Sequence, residues 1–170
     1  MRWEGRAWLL ERHGALIDDI DTDMIYHNSH LAITEISQMG QYALGNLKGY
    51  EQFASEAKAG DIVIAGRNFG SGSSRQQAVD CFRSLGIGCI LSHSYGAIYK
   101  RNAINSGFPI LVLESLEPSK VKRGDMILVD ADACAILKGK ERAGSILPMP
   151  RVQRDILSAG DIFEYAKRIS

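Results

Sequence analysis

Gly66-Arg67-Asn68-Phe69-Gly70-Ser71-Gly72-Ser73-Ser74-Arg75 follows the apolar run Asp61-Ile62-Val63-Ile64-Ala65 and precedes a segment of helical spacing, Gln76 to Leu85. The pattern reads as a strand that turns through glycines and opens a helix on Ser-Ser-Arg. Glycines let the backbone approach a ligand closely, because no Cβ stands in the way. A helix start offers unpaired N–H groups and a partial positive charge, both of which favour an anion. Arg75 adds a planar fork that grips a carboxylate with two bonds. The stretch therefore predicts a carboxylate or phosphate site with a serine beside the bound anion.

Outward from this loop, the spacing predicts strands over Asp61–Ala65, Gly88–Ser92 and Pro109–Leu113, with helices over Ser74–Leu85 and about Tyr95–Asn105 between them. Ser106-Gly107 is a helix stop. Alternating strands and helices favour a parallel sheet with right-handed crossovers. In such sheets ligands bind beyond the carboxyl ends of the strands, which is where the Gly/Ser loop falls.

The flanks carry weaker signals. Gly5 to Leu10 reads as a strand, followed by a turn at His13-Gly14. Asp18-Asp19-Ile20-Asp21-Thr22-Asp23 is acidic and turn-prone, and Ile25 to Thr34 reads as loop. Ile36 to Leu47 is only weakly helical, because Gly40 and Gly45 interrupt it. Two further strands are expected at Asp125–Val129 and Ala133–Leu137, and after Pro148 and Pro150 a helical segment runs from Gln153 to Ile169. Ile156, Leu157, Ile162, Phe163 and Ala166 are its expected buried face, with Gly160 dividing it. The expectation is one α/β domain over residues 1–170, with a parallel strand core and extra strands.

Composition narrows the function classes. Twenty Lys plus Arg balance twenty Asp plus Glu, so the formal net charge is zero. That argues against nucleic-acid or membrane-surface binding driven by bulk charge. No run reaches the about 18 apolar residues needed to span a bilayer. The start, Met1-Arg2-Trp3-Glu4-Gly5-Arg6, has no apolar signal core, so a cytoplasmic location is expected. Cys81, Cys89 and Cys134 are widely spaced and form no Cys-x-x-Cys, so neither zinc nor a local iron–sulfur site is expected in this chain. Cys81 and Cys89 are instead expected to be buried as small hydrophobes. His13, His27, His30 and His93 are isolated, which gives no metal site.

Three motifs stand in order: Asp19-Ile20-Asp21-Thr22-Asp23, the Gly66–Arg75 loop, and Ser94-Tyr95-Gly96-Ala97-Ile98-Tyr99-Lys100-Arg101-Asn102-Ala103-Ile104-Asn105-Ser106-Gly107. Together they resemble the small subunits of the aconitase superfamily's isopropylmalate isomerases and their homoaconitase-type relatives, from about Gly5 to Lys167. The resemblance implies a swivelling β/β/α domain like the last domain of single-chain aconitases. It also implies a partner large subunit that carries a [4Fe-4S] cluster, and an active site that forms where the subunits meet. The implied activity is that of a hydro-lyase, which removes water from a 2-hydroxy acid and restores it on the neighbouring carbon.

By motif match, Ser73 corresponds to the family's catalytic base, acting as an alkoxide. A free serine is a poor base, so helix amides and Arg75 are expected to stabilise its anion. Ser74 is expected to contact substrate and cap the helix, and Arg75 to clamp a carboxylate. Asp23 matches an aspartate near the family's site and is expected to orient an arginine or histidine. Asp21 stands open between a site role and a turn-forming one. Arg101 and Asn102 are expected to tie the second helix to the sheet or to the subunit contact.

In relatives that handle an extra carboxylate, an arginine occupies the place that Ala32 holds here, between Leu31 and Ile33. A buried carboxylate without a cation would be costly, whereas an alkyl branch gains about 0.8 kcal/mol per buried methylene. The loop His30-Leu31-Ala32-Ile33 therefore points to an alkyl-bearing malate, isopropylmalate first and a methylated malate or homoaconitate as alternatives. His30, where the family often has an aromatic, would offer a carboxylate partner if protonated. Two readings from other classes compete. A phosphate- or nucleotide-binding module lacks Gly-Lys-Ser/Thr and the third dinucleotide glycine. A non-catalytic scaffold has no need of an intact Ser-Ser-Arg.

Overall fold

The computed structural model describes residues 1–169; the expected domain over 1–170 reaches Ser170, which lies outside the described residues. In chain order the elements are β1 (Arg2–Leu9), a small hairpin of β2 (Glu11–Arg12) and β3 (Ala15–Leu16), then α1 (Thr22–Ile25), α2 (Ile36–Met39) and α3 (Phe53–Glu56). There follow β4 (Ile62–Ala65), α4 (Gln77–Ser84), β5 (Cys89–Ser92), α5 (Ala97–Asn105) and β6 (Ile110–Leu116). The chain ends with β7 (Met126–Asp130), β8 (Ala135–Lys138), β9 (Glu141–Ile146), α6 (Arg151–Ala159) and α7 (Ile162–Ile169).

Seven strands close into a barrel in the order β1-β4-β5-β6-β9-β8-β7. β1, β4, β5 and β6 run parallel, with Val63 opposite both Trp8 and Ile90. β9, β8 and β7 return antiparallel, and β7 pairs with β1 to close the ring. Closure removes the open sheet edges that would otherwise invite aggregation.

Alternation along the parallel strands produces two cores. Ile62, Ile64, Cys89 and Leu91 point into the barrel with Ile127, Val129 and Ile136. Val63, Ala65 and Ile90 point outward and are covered by Met39, Phe53, Phe82, Tyr99 and Ala103 from the helices. All four residues of β4 are buried because helices cover one face and the barrel interior the other. A strand covered on both faces reads as a continuous apolar run, which is what the sequence shows. Each large side chain so buried contributes about 1.5–3 kcal/mol.

Several expectations need correction. The first parallel helix begins at Gln77 rather than Ser74, and its cap residue Gln76 makes no side-chain capping bond. Arg75 N donates to Ser73 O at 2.9 Å, a tight turn across the serines in place of a helical bond, so the helix does not extend back through them. The helix expected from Tyr95 begins at Ala97. Ile25–Thr34 is not all loop: α1 precedes it and a 3₁₀ turn covers Asn28–His30. Within Ile36–Leu47 only α2 and a 3₁₀ turn at Gly40–Tyr42 are helical.

The expected face of the last segment is also partly wrong. Ile156 is buried, but Phe163 is 75% exposed and no residue of α7 is buried. Gly160 does divide the segment, at φ +110°. Arg101 is exposed, and among the described residues its side chain bonds to nothing, so it does not tie α5 to the sheet. Among the described residues no helix is long and apolar enough to cross a membrane.

Candidate functional site

The Gly66–Arg75 loop leaves the carboxyl end of β4 and is pinned on two sides. On one side Phe69 N donates to Ser94 O at 3.0 Å and Asn68 N to Ser94 Oγ at 2.8 Å, just beyond β5. On the other, Gly70 N donates to Ile20 O at 2.7 Å and Thr22 N to Ser71 O at 2.9 Å. The Asp19–Asp23 motif therefore runs alongside the glycine loop, and an isolated parallel bridge joins Asp21 to Ser71. Distant motifs are brought together by backbone bonds.

Two glycines make this approach feasible. Gly70 has φ +74°, and a Cβ there would stand 2.2 Å from Cγ of the buried Tyr99 ring. Gly72 is required by its φ of +95°, since a Cβ there would stand an ordinary 3.5 Å from Thr22 Oγ1.

The predicted residues take different places. Ser73 and Ser74 are exposed, while Arg75 is largely covered. Neither serine caps the helix, which starts after them. Ser73 Oγ lies 3.1 Å from Thr22 Oγ1. Among the described residues, the amides of Ser73, Ser74, Gln76 and Gln77 donate to no protein acceptor, which leaves a run of free donors beside the hydroxyls.

Arg75 Nη1 donates to Asp23 Oδ1 at 2.6 Å and to Tyr26 O at 3.0 Å. Among the described residues its Nε and Nη2 have no protein acceptor, so one edge of the fork is anchored and the rest is free. Asp23 also accepts from Asn28 N at 3.0 Å and Asn46 Nδ2 at 3.2 Å. The Arg75 bond is the chief reason its carboxyl is held below the usual aspartate value, with the Asn28 amide and the Arg75 and His27 charges adding to it. Asp21 resolves as a cap: its Oδ1 accepts from Asp23 N and Met24 N at the start of α1.

The loop after α1 borders the same face. Tyr26 O receives Arg75, and Leu31 O receives Gln77 Nε2 at 3.4 Å. Leu31 and Ala32 are exposed, whereas Ile33 is half-buried against the outer core. The His30 ring stacks on Tyr42, 3.9 Å between centroids and 17° between planes. Thr22, Tyr26, Asn46 and Tyr42 were not singled out from the sequence. Thr22 lies inside a motif that was noticed, but no spacing rule connects it to a serine 51 residues away.

Cys81 and Cys89 are fully buried, in the outer and inner cores respectively, and burial pushes both thiols up. Thiols held neutral in separate cores do not fit an iron–sulfur cluster, which takes thiolates. Among the described residues no group of three or more His, Cys, Asp or Glu is placed to hold a metal ion.

A family model described as the aconitase C-terminal domain matches residues 20–116, the span that holds the Asp-Thr-Asp motif, the glycine loop and α5. The 3-isopropylmalate dehydratase small subunit 1 of Archaeoglobus fulgidus is 40% identical over 166 residues, 97% of each chain. The chain belongs to the aconitase superfamily, among the 3-isopropylmalate dehydratase small subunits. A second member of that family, from Lachnospira eligens, is 36% identical over 99% of this chain and 96% of its own. A crystal structure of the 3-isopropylmalate dehydratase from Methanocaldococcus jannaschii superposes with a TM-score of 0.86 at 31% identity, covering 99% of this chain and 95% of that one. The swivelling α/β fold expected of this family is therefore the fold of this chain.

Proposed function

We propose that this chain, as one domain over residues 1–170, is the small subunit of a heteromeric hydro-lyase that isomerises 3-isopropylmalate by dehydration and rehydration in leucine biosynthesis. The observation that carries the reading is an exposed Ser73 two residues before an arginine whose Nη1 is anchored and whose other donors are free. A partner surface laid over that face would close the site and exclude water, which strengthens each electrostatic contact.

In the reaction, Ser73 Oγ takes the C–H proton adjacent to a carboxylate and returns it in the reverse step. Arg75, fixed through Nη1 by Asp23 and Tyr26 O, turns its remaining donors to a substrate carboxylate. Ser74 and the open amides around it add hydrogen bonds to the same anion. Leu31 and Ala32 present apolar surface to the variable substituent; an isopropyl branch gains from burial there, and an added carboxylate would find no arginine. The Lewis acid that lets hydroxide depart is assigned to a [4Fe-4S] cluster on the partner large subunit, since this chain's cysteines do not fit one. Three unpaired cysteines suit a reducing compartment, and we place the enzyme in the cytoplasm.

The test is anaerobic reconstitution with a cluster-bearing large subunit, followed by comparison of alkylmaleate hydration with homoaconitate turnover. Alkylmaleate is expected to be the better substrate, and this chain alone to be inactive. Equal or better turnover of homoaconitate would overturn the substrate reading.

A further inference from the structure

Thr22 is 2% exposed, and its backbone is held at both ends: N–H to Ser71 O at 2.9 Å, and C=O from Tyr26 N at 2.9 Å. Its hydroxyl has one protein partner among the described residues, Ser73 Oγ at 3.1 Å. A buried, immobilised hydroxyl is thus directed at the exposed oxygen proposed as the base.

We infer that Thr22 is a positioning residue for Ser73, donating its Oγ1–H to the seryl oxygen and favouring its deprotonated form. This rests on the reading of Ser73 as the base. When Ser73 carries its proton, either hydroxyl can donate to the other. Once that proton is gone, only Thr22 can donate, and the bond becomes charge-assisted and stronger. A hydrogen bond that strengthens in the charged state lowers the pKa of the group that receives it. The protons balance simply. The step starts from the seryl alkoxide, whose own proton has passed to solvent water; the substrate C–H proton moves to Ser73 Oγ, the C–H electron pair remains on the substrate as a carbanion delocalised into its carboxylate, and Thr22 keeps its own proton throughout. The same bond fixes the direction of the Ser73 lone pairs, because Thr22 is buried and its backbone is held at both ends.

The experiment uses the reconstituted complex and four variants: Thr22→Val, Thr22→Ser, Ser73→Ala and the double Thr22→Val/Ser73→Ala. Thr22→Val is expected to lower kcat by about 10- to 100-fold, the loss of one bond to a charged group. It should also move the low-pH, ascending limb of the kcat–pH profile to higher pH, and Thr22→Ser should restore both. In the Ser73→Ala background, Thr22→Val should cost nothing further, since the bond is already absent. If Thr22→Val retains wild-type kcat and pH profile while Ser73→Ala is inactive, the inference fails and the base assignment stands. If Ser73→Ala remains active, the base assignment itself fails. An equal loss from Thr22→Val with and without Ser73 would mark a purely structural role and overturn the inference. If Thr22→Val does not fold, the same comparisons are made with Thr22→Ala, whose small side chain places no new group in the buried site.

Discussion

Replacing Gly70 by alanine tests whether the glycine loop must lie where the structure puts it. Two costs add. At φ +74° any L-residue pays for the left-handed conformation, about 1–2 kcal/mol. The new methyl would also stand 2.2 Å from Cγ and 2.5 Å from Cδ2 of Tyr99, far inside contact distance. Tyr99 has little room to yield: it is 1% exposed, with Phe69 edge-on at 5.3 Å and Tyr95 parallel to it at 6.4 Å. Overpacking of that kind costs about 1–3 kcal/mol. The total, about 2–5 kcal/mol, is a large share of the roughly 5–15 kcal/mol that holds a domain together. Urea unfolding of the isolated subunit followed by circular dichroism measures it through the shift in midpoint. In a Tyr99→Ala background the ring contacts vanish while the contact with the Tyr99 Cβ, 2.6 Å away, stays, so Gly70→Ala should cost less than in wild type but more than the conformational share of about 1–2 kcal/mol. A Gly70→Ala protein as stable as wild type would refute the loop geometry, and so would an undiminished cost in the Tyr99→Ala background.

Three other outcomes can be checked alongside. Asp23→Asn replaces an ionised acceptor of Arg75 by a neutral one at a partly exposed site, with an expected loss of about 1 kcal/mol by thermal unfolding. Because the Asp23 carboxyl is held below its ordinary value of 3.8, chiefly by Arg75, the gap between wild type and Asp23→Asn should be constant above that pH. It should close as pH falls through the lower folded value. Ala32→Arg places a cation in the substituent loop and should shift preference from alkylmaleate towards homoaconitate, read as the ratio of kcat/KM values. A thiol reagent should label native protein only at Cys134, since Cys81 and Cys89 are buried, and all three cysteines after unfolding in urea.

The parallel half of the barrel was legible because helices bury its outer face. Ile62-Val63-Ile64-Ala65 and Cys89-Ile90-Leu91 are apolar throughout, and short apolar runs read clearly as strands. Barrel closure was not legible, because it depends on β7 meeting β1 across more than a hundred residues, and no local pattern encodes that pairing. The strand β9, Glu-Arg-Ala-Gly-Ser-Ile, has no legible strand period because only Ala143 and Ile146, three residues apart, enter the core and the rest are small, polar or charged. At the site, Ser73, Arg75 and Asp23 were visible as motif positions, and the structure adds the bond that joins Arg75 to Asp23. The expected helix start differs because Ser-Ser-Arg mimics a capping signal, while the turn bond from Arg75 N to Ser73 O holds these residues out of the helix. Phe163 fits the apolar spacing of a buried face yet stands exposed, since periodicity specifies an apolar stripe and not what covers it.

The proposal that Ser73 moves the proton is tested most directly by Ser73→Ala in the reconstituted complex, with subunit pairing checked by size-exclusion chromatography. Turnover of isopropylmalate and exchange of its C–H proton with deuterated solvent should both fall by about 10²–10⁴-fold while pairing is retained, the usual share of a general base. Wild-type exchange in the paired Ser73→Ala complex would contradict it.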